Sequence, residues 1–246
     1  MGATPRKLKL SKRSEQGADV DEKPPVIIIL GQTGVGKSNF IYVAGKHMSV
    51  PPNPKIGDGL ESCTGPPQEY ILSDPDRPNR SVRLIDTPGF NDTTAEGDDK
   101  QLKLIIEWLR QEPKAKLVGI LFLFEITQPR VAKTPGMMNP THIENPPGVF
   151  VVTTKWSDGT DQSHCDADAR KEEQLQQIFE LQPNAMKRFY NTPDSAWAII
   201  NEVWNSSEAS KITLEKVREL LELIRPHLKE PDKLMRKIGK WFAKLF

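Results

Sequence analysis

Four apolar runs punctuate the first two thirds of the chain: VIIIL at 26–30, SVRLID at 81–86, LVGILFLF at 117–124 and VFVVTT at 149–154. They read as runs rather than as alternations, interrupted within by Arg83 in SVRLID, the pattern of strands covered on both faces, as in a parallel sheet. Between them the period changes. In DDKQLKLIIEWLRQ, residues 98–111, Leu102, Ile105, Ile106 and Leu109 fall on one helical stripe. Beyond Asp166 the chain reads mainly helical, through DARKEEQLQQIFEL, DSAWAIINEVW and ITLEKVRELLELIRPHL. Strands alternating with helices predict an α/β architecture, a mostly parallel sheet with helices on both faces, followed by C-terminal helices.

The two ends depart from this texture. Residues 1–24 are polar and aperiodic and predict a disordered basic arm, 25–228 the folded domain, and 229–246 a basic amphipathic helix. The net charge of +1 accordingly divides into +2 over 1–23, −5 over 24–228 and +4 over 229–246. An acidic body argues against a general nucleic-acid binder, which needs a broad basic face. In KLMRKIGKWFAKLF, Leu234, Ile238, Trp241, Phe242 and Leu245 share a face, with Lys233, Arg236, Lys237, Lys240 and Lys244 over the remainder. That pattern suits an interfacial membrane helix, a basic helix for a partner groove, or a terminal helix docked on its own domain. No apolar run approaches the roughly 20 residues of a membrane-spanning helix. With two cysteines, Cys63 and Cys165, and no secretory pattern at the start, the expected compartment is the cytoplasm, with peripheral membrane contact through the C-terminal helix.

Gly31-Gln32-Thr33-Gly34-Val35-Gly36-Lys37-Ser38 satisfies G-x-x-x-x-G-K-[ST] and follows directly on VIIIL. Glycines let such a loop wrap a polyphosphate and aim its N–H groups at the oxygens, with the positive end of the next helix adding to the field. Lys37 then reaches the β and γ phosphates, and the Ser38 hydroxyl serves magnesium. Downstream, in Arg83-Leu84-Ile85-Asp86-Thr87-Pro88-Gly89, Asp86 holds magnesium through water and the Gly89 N–H meets a γ-phosphate. In the polar loop between them, IGDGLESCTGPPQEY, Thr64 is placed to sense the terminal phosphate with its hydroxyl on magnesium, which would make the loop a switch.

GQTGVGKS, LESCT, LIDTPGFND, VVTTKW and RFYNTPDSAWAII, in this order, resemble the septin-like, AIG-type and Toc-type P-loop GTPases, and most closely the fungal G domain-containing proteins. The resemblance spans about Val26 to Arg225. It implies a three-layer sandwich that binds GTP or GDP with Mg2+, Lys37, Thr64 and Gly89 serving phosphoryl transfer, and Ser38, Thr64 and Asp86 serving the metal. It also assigns Lys155 to the base and Asn191 to the base edge, and implies a nucleotide-dependent homodimer or a membrane-associated switch.

Two departures stand against that pattern. The family motif [NT]-K-x-D supplies a carboxylate for guanine, whereas Thr154-Lys155-Trp156 is followed by Ser157, with Asp158 one residue late. Either the loop bulges so that Asp158 serves, or guanine selectivity is weak. The connection from Thr127 to Pro147 holds Pro129, Pro135, Pro140, Pro146 and Pro147, so no regular helix forms there. It predicts an irregular crossover that is a partner surface, a degenerate element or a fault in the assembled sequence.

Other candidates read as ordinary chemistry. His164, Cys165, Asp161, Asp166 and Asp168 lack zinc spacing and read as a solvated loop and helix cap. His47, His142 and His227 are isolated, and Arg6 stands where N-myristoylation wants Ser or Thr. Phe90 occupies the place of a water-orienting glutamine, so the expectation is a slow GTPase switch dependent on a partner or second copy. The competing expectation is a nucleotide-binding interaction module that barely hydrolyses.

Overall fold

Val26–Gly31 forms β1, and every one of its six residues is buried, as its unbroken apolar run requires. The computed structural model describes residues 23–54, 66–89, 95–112, 115–127, 149–157, 162–179 and 186–206, with 215, 217 and 219. Within these, α1 (Lys37–Ala44), β2 (Gln68–Ser73), β3 (Ser81–Asp86), α2 (Ala95–Gln111), β4 (Leu117–Glu125), β5 (Val149–Thr154), α3 (Gln162–Phe179), β6 (Met186–Arg188) and α4 (Pro193–Ser206) follow in order.

The six strands form one sheet in the order β2-β3-β1-β4-β5-β6. Every neighbouring pair is parallel except β2 with β3. β1 therefore lies between β3 and β4, and the pleat sends its side chains alternately to the two faces. Ile27 and Ile29 join Phe40, Ile41, Ala44, Trp197, Ile200 and Val203 in one buried cluster under α1 and α4. Ile28 and Leu30 point the other way, and Ile105, Ile106 and Leu109 of α2 are buried outside that cluster. Helices on both faces of a mostly parallel sheet, with the phosphate-loop sequence directly after β1, give the expected α/β three-layer sandwich.

Two strands were not foreseen. β2 is a half-wet edge strand, and β6 has three residues, so neither carries an apolar run. The helices also begin earlier than their apolar stripes: α2 at Ala95 rather than Asp98, and α3 at Gln162 rather than after Asp166. α4 starts where its capping sequence dictates. The Ser195 N–H donates to Thr192 Oγ1 at 3.2 Å, and Pro193 fills the first helical position, where its missing N–H costs nothing.

The end of the sheet away from the phosphate loop is tied by a buried charge. Arg83 on β3 is 1% exposed, donating through Nε to Pro24 O (2.8 Å) and through Nη1 to Glu69 of β2 (3.0 Å) and Glu112 just after α2 (3.4 Å). Lys23 also donates to Glu112, at 2.9 Å. The Glu112 carboxyl is held below its ordinary range, chiefly by the Lys23 hydrogen bond and further by Arg83. Residues 1–22 of the basic arm, 128–148 of the crossover and the segment 229–246 lie outside the described residues. No described helix is long and apolar enough to cross a membrane.

Candidate functional site

The loop from Gly31 to Gly36 joins the carboxyl end of β1 to α1. Gly36 sits at φ 97°, ψ 25° as the N-cap of α1, a left-handed conformation that glycine adopts without strain. α1 has no acidic residue in its first turn, so nothing on the helix offsets the positive end that faces the loop. Lys37 is buried and curls back over the loop, its Nζ donating to Gln32 O at 2.9 Å and Gly31 O at 3.1 Å. The ammonium is thereby held at the mouth of a backbone cradle, where phosphate oxygens are able to replace carbonyl oxygens as acceptors.

β3 delivers the second half of the site. Ser38 Oγ donates to Asp86 Oδ2 at 2.6 Å, although the two residues are 48 apart in sequence. Burial pushes the Asp86 carboxyl above its ordinary range, against the Ser38 hydrogen bond and the Lys37 charge, which pull it down. A half-buried carboxylate and a hydroxyl in contact form a hard oxygen donor pair, and they fit Mg2+, which takes few protein ligands and keeps water and phosphate for the rest. Thr87 Oγ1 donates to Ile29 O at 2.5 Å and fixes the turn after β3 to β1. Gly89 then lies so close to the phosphate loop that a Cβ there would meet Thr33 Cα and Oγ1 at 2.5 Å. The Thr33 hydroxyl is buried with no hydrogen-bond partner among the described residues, a polar atom left over in the cradle.

β5 and β6 close the other side. Thr154 Oγ1 donates to Val35 O at 2.7 Å, joining the end of β5 to the phosphate loop. Lys155 follows at φ 58°, with Nζ on Glu125 Oε2 at 2.8 Å. Asn191 adopts φ 59°, and its Oδ1 accepts from Asn39 Nδ2 at 2.8 Å, one residue beyond Ser38. The Ser157 N–H and Oγ donate to Asp168 Oδ2 at 3.0 and 2.6 Å. Asp168 is 4% exposed, which corrects its reading as part of a solvated loop and cap.

Gly31, Gln32, Thr33, Gly34, Val35, Gly36, Lys37, Ser38, Asp86 and Gly89 thus converge on one crevice outside the carboxyl ends of the strands, the general location of ligand sites in open α/β sheets. Lys155 and Asn191 flank it. Thr64, Asp158 and Phe90 lie outside the described residues. Thr87, Thr154, Asn39 and Asp168 were given none of these contacts from sequence: Thr87 and Thr154 lie inside the quoted LIDTPGFND and VVTTKW, Asp168 was read as part of a solvated loop and cap, and Asn39 carried no signal. Among the described residues no three His, Cys, Asp or Glu side chains converge as a metal cluster.

No family model matches the chain. No curated protein matches it either. Among solved structures it is similar to Toc33 from Arabidopsis thaliana in complex with GDP and Mg2+, at 16% identity over 78% of this chain and 86% of that one, with a TM-score of 0.47. The Toc33 complex with Mg2+ and GMPPNP gives 17% identity over 77% and 85%, with a TM-score of 0.45. Era in complex with MgGDPNP and nucleotides of 16S ribosomal RNA gives 13% over 74% and 56%, with a TM-score of 0.44. The expected closeness to fungal proteins finds no support in these likenesses.

Proposed function

We propose that this chain is a magnesium-dependent guanine-nucleotide-binding protein that hydrolyses GTP slowly to GDP and phosphate and works as a switch. The observation that carries the reading is the convergence of Lys37, held over its own loop carbonyls, with the Ser38–Asp86 pair at 2.6 Å. Lys37 exchanges those carbonyls for phosphate oxygens, and the loop N–H groups with the end of α1 hold the remaining charge. Ser38 and Asp86 would hold the magnesium, which when bound neutralises charge on the phosphates. Gly89, in contact with Thr33, brings its N–H beside the cradle, so the segment after β3 registers the terminal phosphate directly. With positioning and charge as its means, the site supports unaided hydrolysis on the order of 10⁻³ s⁻¹ or slower. A homodimer and peripheral membrane contact through 229–246 belong to the same proposal.

Calorimetry with MgGTP and MgGDP tests it, alongside single-turnover hydrolysis. Lys37→Ala is expected to abolish binding, because Lys37 is the only cationic residue of GQTGVGKS, and Ser38→Asn to favour the diphosphate. Wild-type triphosphate affinity in Lys37→Ala protein would overturn the assignment.

A further inference from the structure

A [NT]-K-x-D motif would place a carboxylate at position 157, and the structure shows what stands there instead. Ser157 is half-buried, and both its N–H and its hydroxyl donate to the same oxygen of Asp168 on α3. One turn further along α3, Glu172 accepts from Arg188 Nε at 2.9 and 3.0 Å, and the Arg188 guanidinium lies 4.6 Å over the Trp156 ring. The segment 155–157 is therefore held at two points, by Asp168 of α3 and by Arg188 of β6. Its place relative to the cradle is set by Thr154 on Val35, and beside it Tyr190, whose ring lies 6.1 Å from that of Trp156, leads to Asn191 on Asn39. A nucleoside whose phosphates lie in the loop extends along these two strand ends.

A hydroxyl owns one hydrogen and two lone pairs. With its hydrogen committed to a buried carboxylate, Ser157 Oγ has only lone pairs to offer on its open side, and the negative partner strengthens them as acceptors. Resting on the nucleotide reading above, we propose that Ser157, oriented by Asp168, reads the base as an acceptor-only hydroxyl and selects purines bearing hydrogen on N1 over adenine. Asp168 is a positioning residue in this scheme. Guanine and hypoxanthine present N1–H to the oxygen, whereas adenine presents a lone pair and repels it. One oxygen does not align with N1–H and the 2-amino group together, as a carboxylate does, so the 2-amino group goes largely unread.

Calorimetry on the full chain with the magnesium complexes of GDP, IDP and ADP separates the possibilities. We expect IDP within about threefold of GDP and ADP weaker by about tenfold or more, the discrimination available when a buried hydrogen bond is replaced by opposed acceptors. Asp168→Ala frees the hydroxyl to turn, and the GDP preference falls to within about twofold. Asp168→Asn, whose amide oxygen accepts the same two bonds, restores most of the preference. Ser157→Ala leaves Asp168 in place and loses the preference as Asp168→Ala does, which keeps the test decisive if that variant folds poorly. Equal GDP and ADP binding in the wild type, IDP far weaker than GDP, an Asp168→Ala variant that weakens all three alike, or loss of the preference in Asp158→Ala each overturns this inference while the nucleotide reading stands. If none of the three binds, both fall.

Discussion

Gly89→Ala places one methyl group between the segment after β3 and the phosphate loop. Its Cβ would lie 2.5 Å from Thr33 Cα and Oγ1 and 2.6 Å from Thr33 N, where ordinary contact begins at 3.4 Å, so about 1 Å of separation is missing. Thr33 Oγ1 is able to rotate away, but the two backbone atoms are not. The loop is also pinned on both sides, by Lys37 on Gly31 and Gln32 and by Thr154 on Val35. The turn after β3 must yield instead, against the Thr87 bond to Ile29. Overpacking of this kind costs about 1–3 kcal/mol, and at about 2–4 °C per kcal/mol for a domain of this size the melting midpoint falls by roughly 2–12 °C. To the extent that the turn yields, the Gly89 N–H moves by about 1 Å, and a misplacement of that size costs about 100-fold in rate. Thermal melts without nucleotide, paired with single-turnover GTP hydrolysis, measure both effects. A variant with the wild-type midpoint and the wild-type rate refutes the close approach and the role given to Gly89.

Thr154→Val removes the hydroxyl bond to Val35 at nearly constant shape, and calorimetry should show nucleotide affinity reduced about three- to tenfold, the worth of one hydrogen bond of about 0.5–1.5 kcal/mol; unchanged affinity means β5 does not shape the loop. Arg83→Met should cost about 3 kcal/mol in urea unfolding, the lower end for a broken buried pair because Glu69 and Glu112 are partly exposed. Because the folded Glu112 carboxyl sits below its ordinary value of 4.5, its share of stability is present above that pH and is lost as pH falls through the lowered folded value. Glu112→Gln should therefore flatten the acid limb of the stability profile, and an unaltered limb rules the contribution out. Removing residues 231–246 should abolish salt-sensitive binding to anionic vesicles while nucleotide binding survives; loss of nucleotide with it would make that segment part of the fold.

The strands that could be read from sequence were those buried on both faces, because burial leaves an apolar run, broken in β3 by the buried Arg83. β2 shows only one face to the core, so Gln68, Glu69 and Ile71 disguise it, and β6 is too short for any period to register. The phosphate loop was legible in full because its geometry is local, each glycine and Lys37 acting within eight residues. What escaped were contacts between distant segments that no motif links: Thr154 reaches Val35 across 119 residues and Asn39 meets Asn191 across 152, whereas Ser38 and Asp86 were already placed on one metal by their motifs. Asp168 is only 11 residues from Ser157, yet its helix begins earlier than its apolar stripe, so its inward orientation was invisible.

The position of β1 in the middle of the sheet has a consequence for synthesis. Its neighbours are β3 and β4, so this strongly apolar segment leaves the ribosome before either neighbour and waits for Leu117–Glu125 before both edges are paired. At about 5–20 residues per second the wait is on the order of 10 s. Until β3 arrives VIIIL is an unpaired, uncharged β segment, and one of its edges stays open until β4 follows, the kind of edge that seeds cross-chain aggregation. Lys23, Pro24 and Pro25 immediately precede it, one charge and two residues that cannot donate to a growing ladder. In the finished fold the Pro24 and Pro25 carbonyls accept from Arg83 and Lys23 pairs with Glu112. The residues that shield the nascent strand thus become the anchor of its free end once β3 and the end of α2 arrive.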